Sequence, residues 1–422
     1  MKIDLAKTQK EITSIPDLEA KTKESLTKNV TELLEVIIGG AIILRSSDLH
    51  IEPEQKQSVI RTRIDGVLQN VITIEKKTYG ALLSRIKFLS GIKFNIADKP
   101  QDGRFSVSLA DGSLVEIRVS TLPSEEGESI VLRILNPKSL VKLDALGVRQ
   151  DLLDIFRQEI KRPNGMIVVT GPTGSGKTTT LYAFLKTIKS PEIKIITIED
   201  PIEYHLEGIS QTQTHPAKGY DFASGLKSVM RQDPNVILVG EVRDLETVNT
   251  ALQAALTGHL VLTTLHTNDA AGTIPRLINL GAEASNIGPA VNLVIAQRLV
   301  RKVCKECAEF NKPDTSETDK IKKALAGISK KINMPQVDLN MKIPKTKGCK
   351  LCNNTGYLER IGIFEAILID DEMEKFILTK PSVAALREKA IKKGMISIKQ
   401  DGFIKVLEGV TTIEEVERVV GE

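Results

Sequence analysis

Residues 166–178 read Met-Ile-Val-Val-Thr-Gly-Pro-Thr-Gly-Ser-Gly-Lys-Thr, an apolar run that passes straight into a glycine-rich loop closed by Lys-Thr. Gly171, Gly174 and Gly176 permit backbone angles that other residues resist, so successive N–H groups can point at one anion. Lys177 is placed to reach the β- and γ-phosphates and the Thr178 hydroxyl to ligate Mg²⁺, with Pro172, Thr173, Ser175 and Thr179 completing the loop. Asn164-Gly165 turns into the apolar run, which predicts a strand over 166–170. Leu181, Phe184, Leu185 and Ile188 recur at helical spacing, predicting an amphipathic helix whose positive end lies under the phosphates. A chance glycine-rich turn has neither flank. The stretch implies a nucleoside triphosphate, ATP, held with magnesium on an α/β core.

The chain of 422 residues is long enough for two or three domains, each with its own core. Aromatics are scarce, Trp is absent, and 58 Lys and Arg stand against 54 Asp and Glu. That weak positive balance allows contact with anionic lipid or an acidic partner but does not argue for nucleic acid. The most apolar run, Val36 to Leu44, is nine residues, against roughly 20 needed to span a bilayer. The N-terminus has lysines without the apolar core and cleavage site of a signal peptide. A cytoplasmic protein with at most peripheral membrane association is expected.

The four cysteines form two matched pairs, Cys304-x-x-Cys307 and Cys349-x-x-Cys352. Each pair can bite one side of a tetrahedral metal from a knuckle-like turn, which points to a structural zinc rather than a redox pair. Gly348 and Gly356 suit the tight turns. The Lys-rich stretch 310–347, punctuated by Pro313, Pro335 and Pro344, reads as a loosely helical insertion within a lobe over 301–362.

Residues 1–29 are polar and carry no readable motif. An apolar helix (Leu33, Leu34, Ile37, Ile38) then leads to short alternating strands with hairpin turns at Asp65-Gly66 and Asp111-Gly112, and a helix over Tyr79–Leu89 lies between them. This α+β domain spans 30–137, with a linker over 138–149. Alternating strands and helices follow over 150–300, with strands at 166–170, 194–198, 236–239 and 259–264. Residues 363–422 read as a small helical tail.

Val236-Ile237-Leu238-Val239-Gly240-Glu241 is the second nucleotide element, four apolar residues leading to a carboxylate. Most phosphate-loop ATPases place Asp where Gly240 stands, so a second acid must come from elsewhere. Ile198-Glu199-Asp200-Pro201 offers one at another strand end. One acid serves the Mg²⁺ shell and the other orients or deprotonates water. Glu199 is expected as the base and Glu241 in the metal shell, with the exchanged roles as the alternative. His259 and His266 bracket one strand, seven residues apart and so on opposite faces, and are not expected to share a metal. His266, with Thr267, is placed as a γ-phosphate sensor or as a structural histidine.

Ser47-Asp48-Leu49-His50-Ile51-Glu52-Pro53, Arg63-Ile64-Asp65-Gly66, Gln101-Asp102-Gly103-Arg104 and the phosphate loop are similar to the secretion ATPases of the GspE/PilB type. So are Ile198–Pro201, Arg231-Gln232-Asp233-Pro234, Gly240-Glu241-Val242-Arg243-Asp244, Thr257–Asn268 and Ala296-Gln297-Arg298-Leu299, colinear over about residues 30–422. The resemblance implies a RecA-like core, an N-terminal α+β domain of PAS-like kind, and a functional His266 closing a histidine box. It also implies a homo-hexameric ring with ATP between the domains, working on an inner-membrane platform protein to assemble a type IV pilus or a type II secretion pseudopilus. The resemblance places Arg104 and Arg118 at the nucleotide as arginine fingers, with Arg133 a weaker third; a solvated strand face is the bland alternative. Retraction ATPases lack the tetracysteine lobe, so Cys304, Cys307, Cys349 and Cys352 put the chain on the assembly side. Larger members carry an additional N-terminal docking domain where about 30 residues stand here.

The rival reading is a RecA-like hexameric nucleic-acid translocase, which shares the phosphate loop. Weak net charge and few stacking aromatics stand against it. A nucleotide-binding scaffold without turnover is opposed by the intact Lys177, Thr178, Glu199 and Glu241.

Overall fold

The computed structural model describes residues 2–3, 11–109, 111–137, 141–329, 332–338 and 340–421. Residues 138–140 of the expected linker, and residues 1 and 4–10, lie outside these. The chain forms two compact units: Met1–Ser139 with Cys304–Ala308 and Thr346–Glu359, and Leu140–Val303 with Glu309–Lys345 and Arg360–Glu422.

The first unit runs β1 (Lys2–Ile3), α1 (Ile15–Ser25), α2 (Val30–Ile43), β2 (Asp48–Pro53), β3 (Gln57–Ile64), β4 (Val67–Glu75), α3 (Lys76–Ser90), β5 (Gln101–Leu109), β6 (Leu114–Ser124) and β7 (Gly127–Leu135). Its sheet has the order β1-β5-β6-β7-β2-β3-β4, antiparallel except where the short β1 joins β5. Both residues of the Asp65-Gly66 turn have positive φ, 50° and 84°, the angles that match a two-residue hairpin to strand twist. The Asn29 side chain caps α2 by accepting from Glu32 N–H at 2.9 Å, and Leu33, Leu34, Ile37 and Ile38 are buried below it. Each such side chain contributes roughly 1.5–3 kcal/mol. Gly40 lets α1 pack closely, since a Cβ there would stand 2.3 Å from Leu18 Cδ1.

The second unit runs α4 (Gln150–Glu159), β8 (Gly165–Thr170), α5 (Lys177–Ile188), β9 (Ile195–Glu199), β10 (Ser210–Gln213), α6 (Phe222–Met230), β11 (Val236–Val239), α7 (Leu245–Leu256), β12 (Leu260–Leu265), α8 (Thr273–Asn279), α9 (Ala284–Ala290) and β13 (Val291–Val303). The chain continues through β14 (Ala308–Asn311), α10 (Thr315–Ala324), β15 (Ile343–Thr346), β16 (Tyr357–Leu368), α11 (Asp371–Leu378), α12 (Val383–Lys392), α13 (Ile398–Leu407) and α14 (Ile413–Val420). The main sheet has the order β10-β9-β11-β12-β8-β13-β16 and is parallel from β10 to β13. All residues of β8, β11 and β12 are buried, as a parallel sheet covered on both faces requires. Because these strands run the same way, the residues that follow them share one edge of the sheet, where α/β proteins bind ligands.

The C-terminal region and the cysteine segment differ from the sequence expectations. The run Val291–Val303, read only as a motif, is a long strand beside β8. Residues 363–368 are not helical: they finish β16, where Phe364 packs edge-on against Phe156 with ring centroids 6.2 Å apart. The 301–362 stretch is divided rather than one lobe. Its middle, Ile321, Leu325 and Ile343, joins a cluster with Phe403, Ile404, Val406, Ile413 and Val416 in the second unit. Its cysteine turns fold with the first unit, where Asn353 Oδ1 accepts from Ile15 N–H at 2.6 Å and Lys350 pairs with Asp17 at 2.9 Å. A long insertion is free to divide this way because its apolar residues and its turns find partners separately.

The end of the linker is anchored by a buried ion pair. Arg149 Nη1 donates to Asp401 Oδ1 at 2.7 Å, and Asp401 Oδ2 accepts from Phe364 N–H at 2.7 Å. Asp401 is fully buried and Arg149 nearly so. Removing one partner strands the other charge out of water. Asp401→Ala is therefore expected to cost about 3–5 kcal/mol of stability in denaturant unfolding, far more than a surface change of this kind; a loss below about 1 kcal/mol would show that the pair is not holding the linker.

Candidate active site and metal centre

The phosphate loop is built as the sequence requires. Gly171, Gly174 and Gly176 have φ of 146°, 78° and 89°, and α5 begins at Lys177. A Cβ on Gly171 would stand 2.6 Å from both Gln297 O and Ser175 Oγ. The Ser175 hydroxyl is buried and has no hydrogen-bond partner among the described residues. A cradle of positive-φ glycines at a helix N-terminus, with an unsatisfied hydroxyl, fits a phosphate group. Lys177 Nζ donates to Gly171 O at 2.9 Å and Pro172 O at 3.2 Å, so the ammonium lies over the loop. Burial, in part offset by the charge of Glu241, holds its pKa below the usual lysine range.

Gln297 on β13 braces the loop from beneath: its Nε2 donates to Ser175 O at 2.6 Å and its Oε1 accepts from Thr180 Oγ1 at 2.7 Å. Sequence reading quoted this glutamine within a motif but gave it no role. A buried polar residue inside an apolar strand run was the available signal.

The two acids occupy different surroundings. Gly240 N–H donates to Ile198 O at 2.8 Å, which brings the ends of β9 and β11 together. A Cβ at Gly240 would stand 3.3 Å from both Glu199 Cα and Ile198 O, a tight approach that glycine relieves. Glu199 is 3 % exposed, and its carboxylate accepts from Tyr182 Oη, from Thr197 Oγ1 at 2.5 Å and from Gln211 Nε2 at 3.2 Å. Burial pushes its pKa up, against the pull of these donors. Glu241 instead lines a cavity of about 430 Å³ with Val242, Arg243, Leu265, His266 and Arg276. It pairs with Arg243, and its Oε2 lies 3.7 Å from His266 Nε2, beyond hydrogen-bond reach. Burial and then the Lys177 charge hold His266 below the ordinary histidine pKa, favouring neutral imidazole. His259 lies at the other end of β12, where its Nδ1 faces Ala254 O at the end of α7, 3.0 Å away.

Lys177, Glu241 and His266 are thus electrostatic neighbours at the sheet edge, whereas Glu199 is enclosed beside α5 and does not line the cavity. Arg104 and Arg118 lie in the first unit. They stand opposite each other on β5 and β6 in a cross-strand row that continues through Arg133, Asp48 and Arg63. Asp48 pairs with Arg133 at 3.2 Å and Arg63 at 3.4 Å, and Glu116 lies 3.8 Å from Arg118 and 4.0 Å from the exposed Arg104.

The four cysteines converge although Cys307 and Cys349 are far apart in the chain. Their Sγ atoms lie within 4.8 Å of one another, with Cys304–Cys349 and Cys307–Cys352 at 3.8 Å and Cys349–Cys352 at 3.7 Å. Metal–sulfur bonds of about 2.3 Å in a tetrahedron require sulfur separations of about 3.8 Å. Burial pushes the Cys304 thiol up to about 12. Burial also opposes ionisation of Cys352, but N–H donors from Cys349 and Gly356, each 3.2 Å from its Sγ, bring it down to about 7. Gly348 and Gly356 take positive φ at the turns.

The model of the family described as type II/IV secretion system protein matches residues 23–418. The type II secretion system ATPase E of Vibrio cholerae is 45% identical over 397 residues, 93% of this chain and 76% of that protein. The type IV pilus assembly ATPase PilB of Myxococcus xanthus is 39% identical over 415 residues, 98% of this chain and 71% of that one. Among solved structures, the pilus retraction motor PilT with bound ADP superposes with a TM-score of 0.60 at 26% identity, covering 90% of this chain and 95% of that one. The Legionella pneumophila ATPase DotB shares the fold, with a TM-score of 0.66 at 22% identity over 93% of this chain and 95% of that one.

The enclosure of Glu199 has a measurable consequence. Its folded pKa is raised, so its ionised form counts against folding as pH rises through that value. The Tyr182 donor limits this penalty. Tyr182→Phe should destabilise the protein by about 1.5–3 kcal/mol at about pH 8 and by less at about pH 5, because acid favours the neutral form of a carboxyl whose pKa is raised. Urea unfolding at the two pH values checks it; a deficit that stays constant or grows toward acid would contradict this account of Glu199.

Proposed function

The chain belongs to the type II/IV secretion system protein family, and on that premise we propose how it works as an ATP hydrolase of the type II secretion and type IV pilus class. The observation that carries the reading is a cavity lined by Glu241 and His266 at the carboxyl edge of a parallel sheet, with the Lys177 charge felt by both. Backbone N–H groups of residues 171–178 would hold the β- and γ-phosphates, Lys177 would leave its carbonyl partners to pair with them, and Thr178 would help hold a magnesium ion that balances their charge. We assign water orientation to Glu241, the acid open to the cavity. This exchanges the roles expected from sequence. Glu199 supports the site from the α5 side, its oxygens already engaged by three donors. Neutral His266 donates to the γ-phosphate.

Arg104 and Arg118 would supply cations to the developing equatorial charge, a reading supported by four arginines in one sheet row with a single acid between them. That geometry suits a homo-hexameric ring in which nucleotide binding and release move the units and drive an inner-membrane platform protein. Among the described residues no helix is long and apolar enough to cross a membrane. Peripheral membrane association from the cytoplasm is proposed on the likeness to the secretion and pilus ATPases.

Glu241→Gln should bind Mg-ATP near normally and hydrolyse it about 10²–10⁴-fold more slowly. Glu199→Gln should be affected chiefly in stability, and Lys177→Ala should lose both binding and turnover. Arg104→Ala and Arg118→Ala should bind nucleotide and turn over slowly. Steady-state hydrolysis with nucleotide binding measured in parallel checks the set; normal turnover in Glu241→Gln with a slow, well-folded Glu199→Gln would return the base to Glu199.

The tetrathiolate cluster is proposed to hold one structural zinc that orders the turns at 304–307 and 349–352. Elemental analysis should find one zinc per chain, released with four thiols on chelation. Cys352→Ser should lose the metal and unfold at lower temperature, whereas a metal-free protein with four free thiols and unchanged melting would count against the site.

A further inference from the structure

Glu365 on β16 is a buried acid with no part in the phosphate chemistry, being only 5 % exposed. Its two oxygens are shared between distant segments. One accepts from Ala270 N–H at 2.7 Å and the other from Ile398 N–H at 3.0 Å. Ala270 ends the short segment that begins at His266, and Ile398 opens α13, where a carboxylate satisfies an otherwise unpaired helix N–H and meets the positive end of the helix.

The segment between His266 and Ala270 is held at each step. Thr267 N–H donates to Thr170 Oγ1, the last residue of β8, at 2.8 Å. Asn268 O accepts from Arg298 Nη2 at 2.8 Å, and Asp269 pairs with Arg387 of α12. Glu365 closes the series at Ala270. The Thr170 contact ties the segment to the strand that carries the phosphate loop, while the Glu365 and Arg387 contacts tie it to the C-terminal helices. Glu365 is the buried member of that second set, shielded from water and salt, whereas Arg387 is exposed and its pair is correspondingly weaker.

We propose that Glu365 is a positioning residue for His266, clipping the segment after the histidine to the N-terminus of α13 so that γ-phosphate contact depends on the C-terminal helices. The proposal rests on the reading of His266 as a phosphate donor. A shift of the segment moves the imidazole with it, and a displacement of about 1 Å can slow chemistry by up to about 10²-fold while leaving ground-state binding nearly intact.

The test is a double-mutant cycle in the full-length protein with Glu365→Gln, His266→Ala and the pair, read as kcat and KM for ATP. Glu365→Gln replaces one acceptor by a donor and must lose one of the two N–H bonds. It should lower kcat by about 10-fold to 10²-fold with KM changed less than about twofold, and the pair should be no slower than His266→Ala alone. Glu365→Asp, which keeps the charge on a shorter arm, should show a smaller loss with the same lack of additivity, and it stands in if the Gln variant does not fold. Losses that multiply in the pair, with His266→Ala itself slow, would overturn the positioning role. Normal turnover in His266→Ala would overturn the reading of His266 and the proposal with it.

Discussion

The hydrogen bond from Gln297 to the Ser175 carbonyl is the interaction on which the arrangement of the site most depends. A phosphate loop must turn its N–H groups inward, which leaves carbonyls pointing into the protein where water cannot satisfy them. Gln297 meets one of those carbonyls and also accepts from Thr180, tying the loop and the first turn of α5 to β13. The glycines around it are constrained for the same reason: Gly171 and Gly176 would place a Cβ against Gln297 itself. The loop is therefore held by packing and by satisfied polar groups, not by its own sequence alone.

Charge is then distributed around that frame according to exposure. Glu241 and Arg243 stand at the cavity with His266, and Glu241 also feels the Lys177 charge, so that opposite charges moderate the cost of partial burial. Glu199 is shut away and kept tolerable by three donors. Two carboxylates that end neighbouring strands thus acquire different chemistry because β strands alternate their faces: Thr197 and Glu199 share the α5 side.

The cysteine segment shows the same rule at larger scale. Its turns and its helical middle belong to different units because each buries what it can, the turns by clustering four thiols and α10 by packing Ile321 and Leu325 against the C-terminal helices. Connectivity alone did not dictate that division.

Much was legible in the residues themselves. The phosphate loop, its strand and helix, the Asp65-Gly66 hairpin, the buried strands of the core and the two cysteine pairs all rest on local geometry: positive φ at glycine, apolar runs and fixed ligand spacing. What the tertiary structure alone decided are the pairings between residues remote in sequence. Nothing near Glu199 in the chain announces that Tyr182 and Gln211 will enclose it while Glu241 opens to the cavity. Gln297, Glu365 and Asp401 were invisible as functional or stabilising groups because a polar residue in an apolar run acquires meaning only from the donor or acceptor it meets. The strand over Val291–Val303 was hidden by its polar Gln297-Arg298 interruption, and the start of the C-terminal region as β16 was decided by the free edge of β13. Local conformation is encoded by neighbours in the sequence; satisfaction of buried charge and hydrogen bonds is settled only when the chain has folded.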